Sequence, residues 1–112
     1  MGFRREHSVY PPHNVVKLDE DNFVIELAVA GFDTKELGIE TVENSLVITG
    51  EKHDKDEREY SHKGISTRKF TRRFSLAEHV HVSGASLEHG ILSISLERQI
   101  PEEKKPRTIK IK

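Results

Sequence analysis

The sequence has no cysteine. That absence excludes a disulfide scaffold, a cysteine zinc site and a thiol nucleophile. It has no strong excess of either charge: 18 Lys+Arg against 19 Asp+Glu leave a net −1. Nucleic acid and anionic membranes both reward a basic excess, so neither is expected as a partner. Long apolar runs are missing too. The best, residues 23–32, is broken by Glu26 and followed by Asp33, far short of the ~18 residues of a membrane helix. Residues 1–8 have no apolar stretch for a secretory signal, and Glu6 stands where a myristoylation motif wants Ser or Thr. The expectation is a soluble, cytoplasmic protein. There is no Gly-rich Lys-Ser/Thr phosphate loop and no nucleophile elbow, so neither ATP use nor serine hydrolysis is expected.

What is there fits one domain of 112 residues, long enough to bury roughly 65% of its extended surface. Charged residues are 33% and hydrophobic ones 34%, too apolar for a wholly disordered chain. Period two dominates. Phe23, Ile25, Leu27 and Val29 alternate with Val24, Glu26, Ala28 and Ala30, and Leu92, Ile94 and Leu96 with Ser93, Ser95 and Glu97. Phe70, Arg72, Phe74 and Leu76 share one face, and residues 15–18 and 45–49 are short β-branched runs. Such strands bury one face and wet the other. Glu20-Asp21-Asn22, Glu43-Asn44-Ser45 and His89-Gly90 read as reversals. Asp33 with Glu36 can cap one helical turn. Short strands, frequent turns and too few helices for βαβ units predict an antiparallel β-sandwich.

Two segments exceed a minimal sandwich. Residues 51–64 are 14 highly charged positions, long for a strand connection. They read as a solvated loop, except that Arg58, Glu59, Tyr60, Ser61 and His62 alternate and could form a short strand on an arm, able to pair with another subunit's edge. The tail carries Pro101 and Pro106 before Ile109-Lys110-Ile111. In extended chain Ile109 and Ile111 point the same way, about 6.6 Å apart. They either complete their own sandwich or fill a groove on a neighbour. Arg72 also leaves two readings: it meets an acidic group across an interface, or a bulge turns it to water, because a buried guanidinium is costly unpaired. The cluster Lys104, Lys105, Arg107 is offset by Glu102 and Glu103 and reads as a solubilising tail.

The seven histidines, His7, His13, His53, His62, His79, His81 and His89, are scattered. His79 and His81 at i, i+2 would share a strand face, but no acidic ligand set accompanies them, so no metal, cofactor or catalytic residue is expected. A metal-dependent enzyme built on that pair is the weaker alternative.

In order along the chain stand Tyr10-Pro11-Pro12-His13-Asn14-Val15, Val29-Ala30-Gly31-Phe32, Leu46-Val47-Ile48-Thr49-Gly50, Arg68-Lys69-Phe70-Thr71-Arg72-Arg73-Phe74, Ala85-Ser86-Leu87-Glu88-His89-Gly90-Ile91-Leu92, and Ile100-Pro101 with the tail ending Ile109-x-Ile111. Together they resemble the small heat-shock proteins, built on the α-crystallin domain, and especially the bacterial inclusion-body-binding subgroup. The resemblance implies an immunoglobulin-like β-sandwich at 12–99, between a short N-terminal arm (1–11) and a C-terminal extension (100–112). It implies an ATP-independent holdase, not an enzyme, for partly unfolded client proteins, assembling through homodimers into larger oligomers. Ile109 and Ile111 match the family's anchor, whose groove on a neighbour would lie between residues 37–42 and 82–87, with Leu37, Ile39, Val82, Ala85 and Leu87 lining it. Residues 58–62 match the strand that bacterial and plant members exchange in the dimer, and Arg72 the interface arginine. The departure is the N-terminal arm, about ten residues with Phe3 and Val9 as its main apolar groups, where the family usually carries a longer one. The alternative function is a co-chaperone-like sandwich module for one folded partner.

Overall fold

The computed structural model describes residues 10–53, 56–65, 67–101 and 108–112. Phe3 and Val9 in the N-terminal arm, and Lys104, Lys105 and Arg107 in the tail, lie outside the described residues. Among the described residues seven antiparallel strands form two sheets. They are β1 (His13–Lys17), β2 (Asn22–Ala28), β3 (Leu37–Val42), β4 (Ser45–Gly50), β5 (Phe70–Ser75), β6 (Val80–Glu88) and β7 (Ile91–Arg98). One sheet runs in the order β1-β2-β7-β6, the other β3-β4-β5.

The alternation read from the sequence sets the register. Ile25 faces Ile94 and Leu27 faces Leu92 across β2 and β7, and all four are buried. Leu46 and Ile48 of β4 supply the opposite layer. Serines at 93 and 95 stay partly wet on the outer side. Apolar area removed from water at roughly 25 cal/mol per Å² drives this closure. Phe70 seals one end, edge to face with Phe32 (5.5 Å) and Tyr10 (5.8 Å). Its ring lies so close to β4 that a Cβ at position 50 would come within 2.2 Å of it; only glycine fits there.

The turns follow the sequence with two one-residue shifts. His89 (φ 53°) and Gly90 (φ 76°) are the two left-handed residues between β6 and β7, the pair a tight hairpin needs. Between β3 and β4 the positive φ falls on Glu43 (55°) rather than on Asn44. Asn44 instead offers its carbonyl to the Leu76 N–H at 2.7 Å. The β1–β2 reversal is held from one residue upstream of the expected trio: Asp19 Oδ1 accepts the N–H groups of Asp21 and Asn22. Asp33 and Glu36 do form a reciprocal capping box on the single 3-10 turn Thr34–Glu36.

The β6–β7 ladder slips between Val82 and Gly84. The extra residue, Ser83, donates its hydroxyl to the Ser95 carbonyl at 3.3 Å. This bulge decides a face. In an unbroken strand Val82 would point opposite to Ala85. Past the slip Val82, Ala85 and Leu87 face Leu96, Ile94 and Leu92, all three buried, so the trio shares one side.

Candidate functional site

Arg72 sits where alternation put it, on the inner face of β5 opposite Ile48. It is 9% exposed. Within the chain it meets other groups: β5 pairs with β4 without a bulge at this point, and among the described residues its hydrogen-bond partners are a carbonyl and an imidazole. Nη1 donates to the Pro11 carbonyl, 61 positions away. Nη2 lies 3.0 Å from His13 Nδ1, 59 positions away. The guanidinium also lies 5.0 Å from the Phe74 ring centre, and the His13 ring meets Phe74 edge-on at 5.0 Å. Burial is tolerated because dipoles and a ring face, rather than an anion, absorb the charge. The result ties β5, an edge of one sheet, to the entry of β1, an edge of the other.

That tie puts the β1 and β5 edges on the same side of the sandwich and leaves β3 and β6 as the edges on the opposite side. Leu37 and Ile39 on β3, and Val82 and Leu87 on β6, are partly buried and pack against the core. Ala85 is exposed. The structure therefore lays all five expected groove residues along two unpaired edges that face a common side. Ile109 and Ile111 are 82% and 93% exposed. Residues 108–112 join neither sheet, so Ile109 and Ile111 do not lie in a strand of their own sandwich.

The charged arm leaves β4 at Gly50 and returns at Phe70. Arg58, Glu59, Tyr60, Ser61 and His62 are exposed and have no ladder in their own chain. Their backbone is organised locally instead. Asp56 Oδ1 accepts the Arg58 N–H (3.0 Å), and its two oxygens take Arg58 Nε and Nη2, both at 2.9 Å. The Tyr60 hydroxyl donates to Asp56 and accepts from Arg58. Arg58 holds the Asp56 carboxyl well below the usual carboxylate range, and the Tyr60 phenol is raised by its bond to Asp56. The arm residues and Arg72, grouped by the sequence reading, thus have separate partners within one chain. A cleft of about 690 Å³ lies between the arm and the sandwich, lined in part by Gly31, Lys52, Arg58, Tyr60 and Thr67.

The root of the arm rests on a residue read from the sequence only as a cap. Glu36 is 7% exposed. Its Oε2 accepts the His53 N–H (3.0 Å), while Oε1 accepts the Asp33 N–H (3.0 Å) and Lys52 Nζ (3.1 Å). Lys52 also reaches the Gly31 carbonyl at 2.8 Å. The His53 and Asp33 amides pull the Glu36 carboxyl down to about 2, with Lys52 adding to them against the opposing effect of burial. The folded-state value is depressed, so this stabilisation is complete above about 4.5 and disappears as pH falls through about 2. The melting-temperature gap between wild type and Glu36→Gln is expected to narrow across that window, followed by circular dichroism. A gap unchanged from about pH 6 down to about pH 2.5 contradicts the assignment.

His79 and His81 do not share a strand face. His79 precedes β6 with φ 68° and pairs with Glu78 at 3.3 Å, while His81 lies within β6. Among the described residues no three His, Asp or Glu side chains gather as a metal site. No helix among them is long and apolar enough to cross a membrane.

Comparison with known proteins agrees with this architecture. The Hsp20/alpha crystallin family model matches residues 15–112. The chain is 52% identical over 103 residues to the small heat shock protein IbpA of Escherichia coli, covering 91% of this chain and 75% of that one. It is 49% identical over 102 residues to the small heat shock protein HspD of Bradyrhizobium diazoefficiens, covering 91% and 68%. Among solved structures, the C-terminally truncated small heat shock protein AgsA from Salmonella typhimurium superposes with a TM-score of 0.75 at 35% identity, covering 92% of this chain and all of that one. A two-sheet antiparallel sandwich, its sequence matched over nearly its whole length, places this chain in the Hsp20/α-crystallin family of small heat shock proteins.

Proposed function

We propose that this protein is a holdase that binds partly unfolded proteins without ATP and assembles through dimers into larger oligomers. As a small heat shock protein it has a chaperone role and is not an enzyme. The observation that carries the finer reading is the exposure of Ile109 and Ile111, 82% and 93%. Two isoleucines outside their own fold are an unfavourable exposure that a groove on another copy would relieve. The edges β3 and β6 carry suitable apolar residues, Leu37, Ile39, Val82 and Leu87, with small Ala85 leaving room. Covering two isoleucines yields roughly 3–6 kcal/mol gross, before ordering costs. A plug of that strength hides apolar surface yet exchanges, so a client exposing its own apolar surface can compete for it.

The arm is the second contact in this reading. Arg58, Glu59, Tyr60, Ser61 and His62 join neither sheet of their own chain, and an alternating segment of that kind can pair with an edge supplied by another copy. In this organisation the sandwich spans 12–99, with an arm at 1–11 and an extension at 100–112.

The test is aggregation of a heat-labile enzyme, followed by turbidity without nucleotide, with mass by light scattering alongside. Suppression at near-stoichiometric subunit ratios and a mass well above one chain are expected. Undiminished turbidity at a large excess, or tight one-to-one binding to a single folded protein, overturns the reading.

A further inference from the structure

The contact between Arg72 and His13 has a property beyond holding two sheets together. A guanidinium has donors only. Its Nη2, 3.0 Å from His13 Nδ1, therefore requires a lone pair there, which fixes the neutral ring with its hydrogen on Nε2. Adding a proton at Nδ1 removes the acceptor and sets two cations against each other. Among the described residues no carboxylate is bonded to the ring. From β5 the charged group facing the ring is Arg72 itself, beside Phe74. On β2 the register partner is buried Leu27, and Glu26 lies on the other face, bonded to Asn14. On β1, Lys17 shares the His13 side and pairs with Glu20 at 4.0 Å. In the preceding segment Tyr10 packs on Phe70 and under Arg68.

We propose that His13 is a proton-sensitive latch: its neutral ring closes the entry of β1 onto β5, and protonation releases it. Acid then loosens one edge of the four-stranded sheet while the core, built from β2, β4 and β7, stays closed.

The test compares wild type with His13→Asn on the full chain. Asn keeps an acceptor oxygen at the δ position but does not titrate. The melting-temperature difference between the two is expected to move against the wild type by roughly 3–8 °C between about pH 8 and about pH 5.5, the size set by linkage to one proton. Amide exchange in residues 13–17, relative to the variant, is expected to quicken over the same interval by at most about tenfold per pH unit, the limit for one proton. A difference identical at both pH values, or an acid-induced quickening that persists in His13→Asn, overturns the latch. The ring nitrogens of wild type give a check that needs no variant. Near pH 8, nitrogen-15 shifts are expected to show an unprotonated Nδ1. The opposite tautomer refutes the arrangement.

Discussion

Replacing both Ile109 and Ile111 with Ser is expected to reduce the light-scattering mass to dimers or smaller species without changing the melting temperature of the domain. The two side chains are 82% and 93% exposed and belong to neither sheet. Exposed substitutions away from packed features usually alter stability by less than about 0.5 kcal/mol. Between copies the balance differs. Losing a gross roughly 3–6 kcal/mol of apolar cover weakens each tail contact by about two to four powers of ten, less what the tail recovers in freedom. Single substitutions should give intermediate mass. A double variant with unchanged mass removes the anchor role, and one with lowered melting temperature shows that the tail packs on its own domain. Where the tail also covers client-binding surface, the variant should suppress turbidity at least as well per subunit, because the groove is permanently open.

The second large effect is expected at Arg72. Arg72→Ala strips the Pro11 carbonyl and His13 Nδ1 of their donor and removes the alkyl stem from the β4–β5 face. Loss of a charged hydrogen bond together with buried packing costs about 2–4 kcal/mol. For a domain of this size that is about 10–20 °C in melting temperature. Arg73, next in sequence but exposed on the other face of β5, is the control, and Arg73→Ala should be nearly silent. Concentration dependence separates two roles for Arg72. A loss independent of protein concentration places the effect inside one chain, as the geometry has it; a loss that shrinks as concentration rises places it at a subunit contact. A variant that melts like wild type would mean that the clasp contributes nothing to stability.

The family match and the strand pattern were legible because both are local. Alternation in residues 22–30 and 91–98 is imposed residue by residue by the pleat, and any sequence that must bury one face displays it. His89-Gly90 and the Asp33/Glu36 box are also local, each closing within four positions. The sandwich class, the hairpins and the exclusion of cysteine chemistry followed from such features.

Partners across long separations were not legible. Arg72 was placed on the inner face by its spacing, but its ligands are a proline carbonyl and an imidazole about sixty positions upstream. No periodicity carries that distance; stacking of the two sheets and the register of β4 against β5 bring them together. Glu36 appeared only as a cap, because the chain's return at Lys52 and His53 supplies its other two donors.

The sequence by itself determined which residues alternate, where the chain reverses and to which family it belongs, since these depend on neighbours within a turn or a strand. Tertiary structure alone decided that Ser83 bulges so that Val82, Ala85 and Leu87 share a side, that His79 leaves the strand that His81 occupies, and that Arg72 meets the Pro11 carbonyl and His13 within its own chain. Each of these depends on how one strand slides against another, a choice fixed by the packing of the whole core rather than by any segment within it.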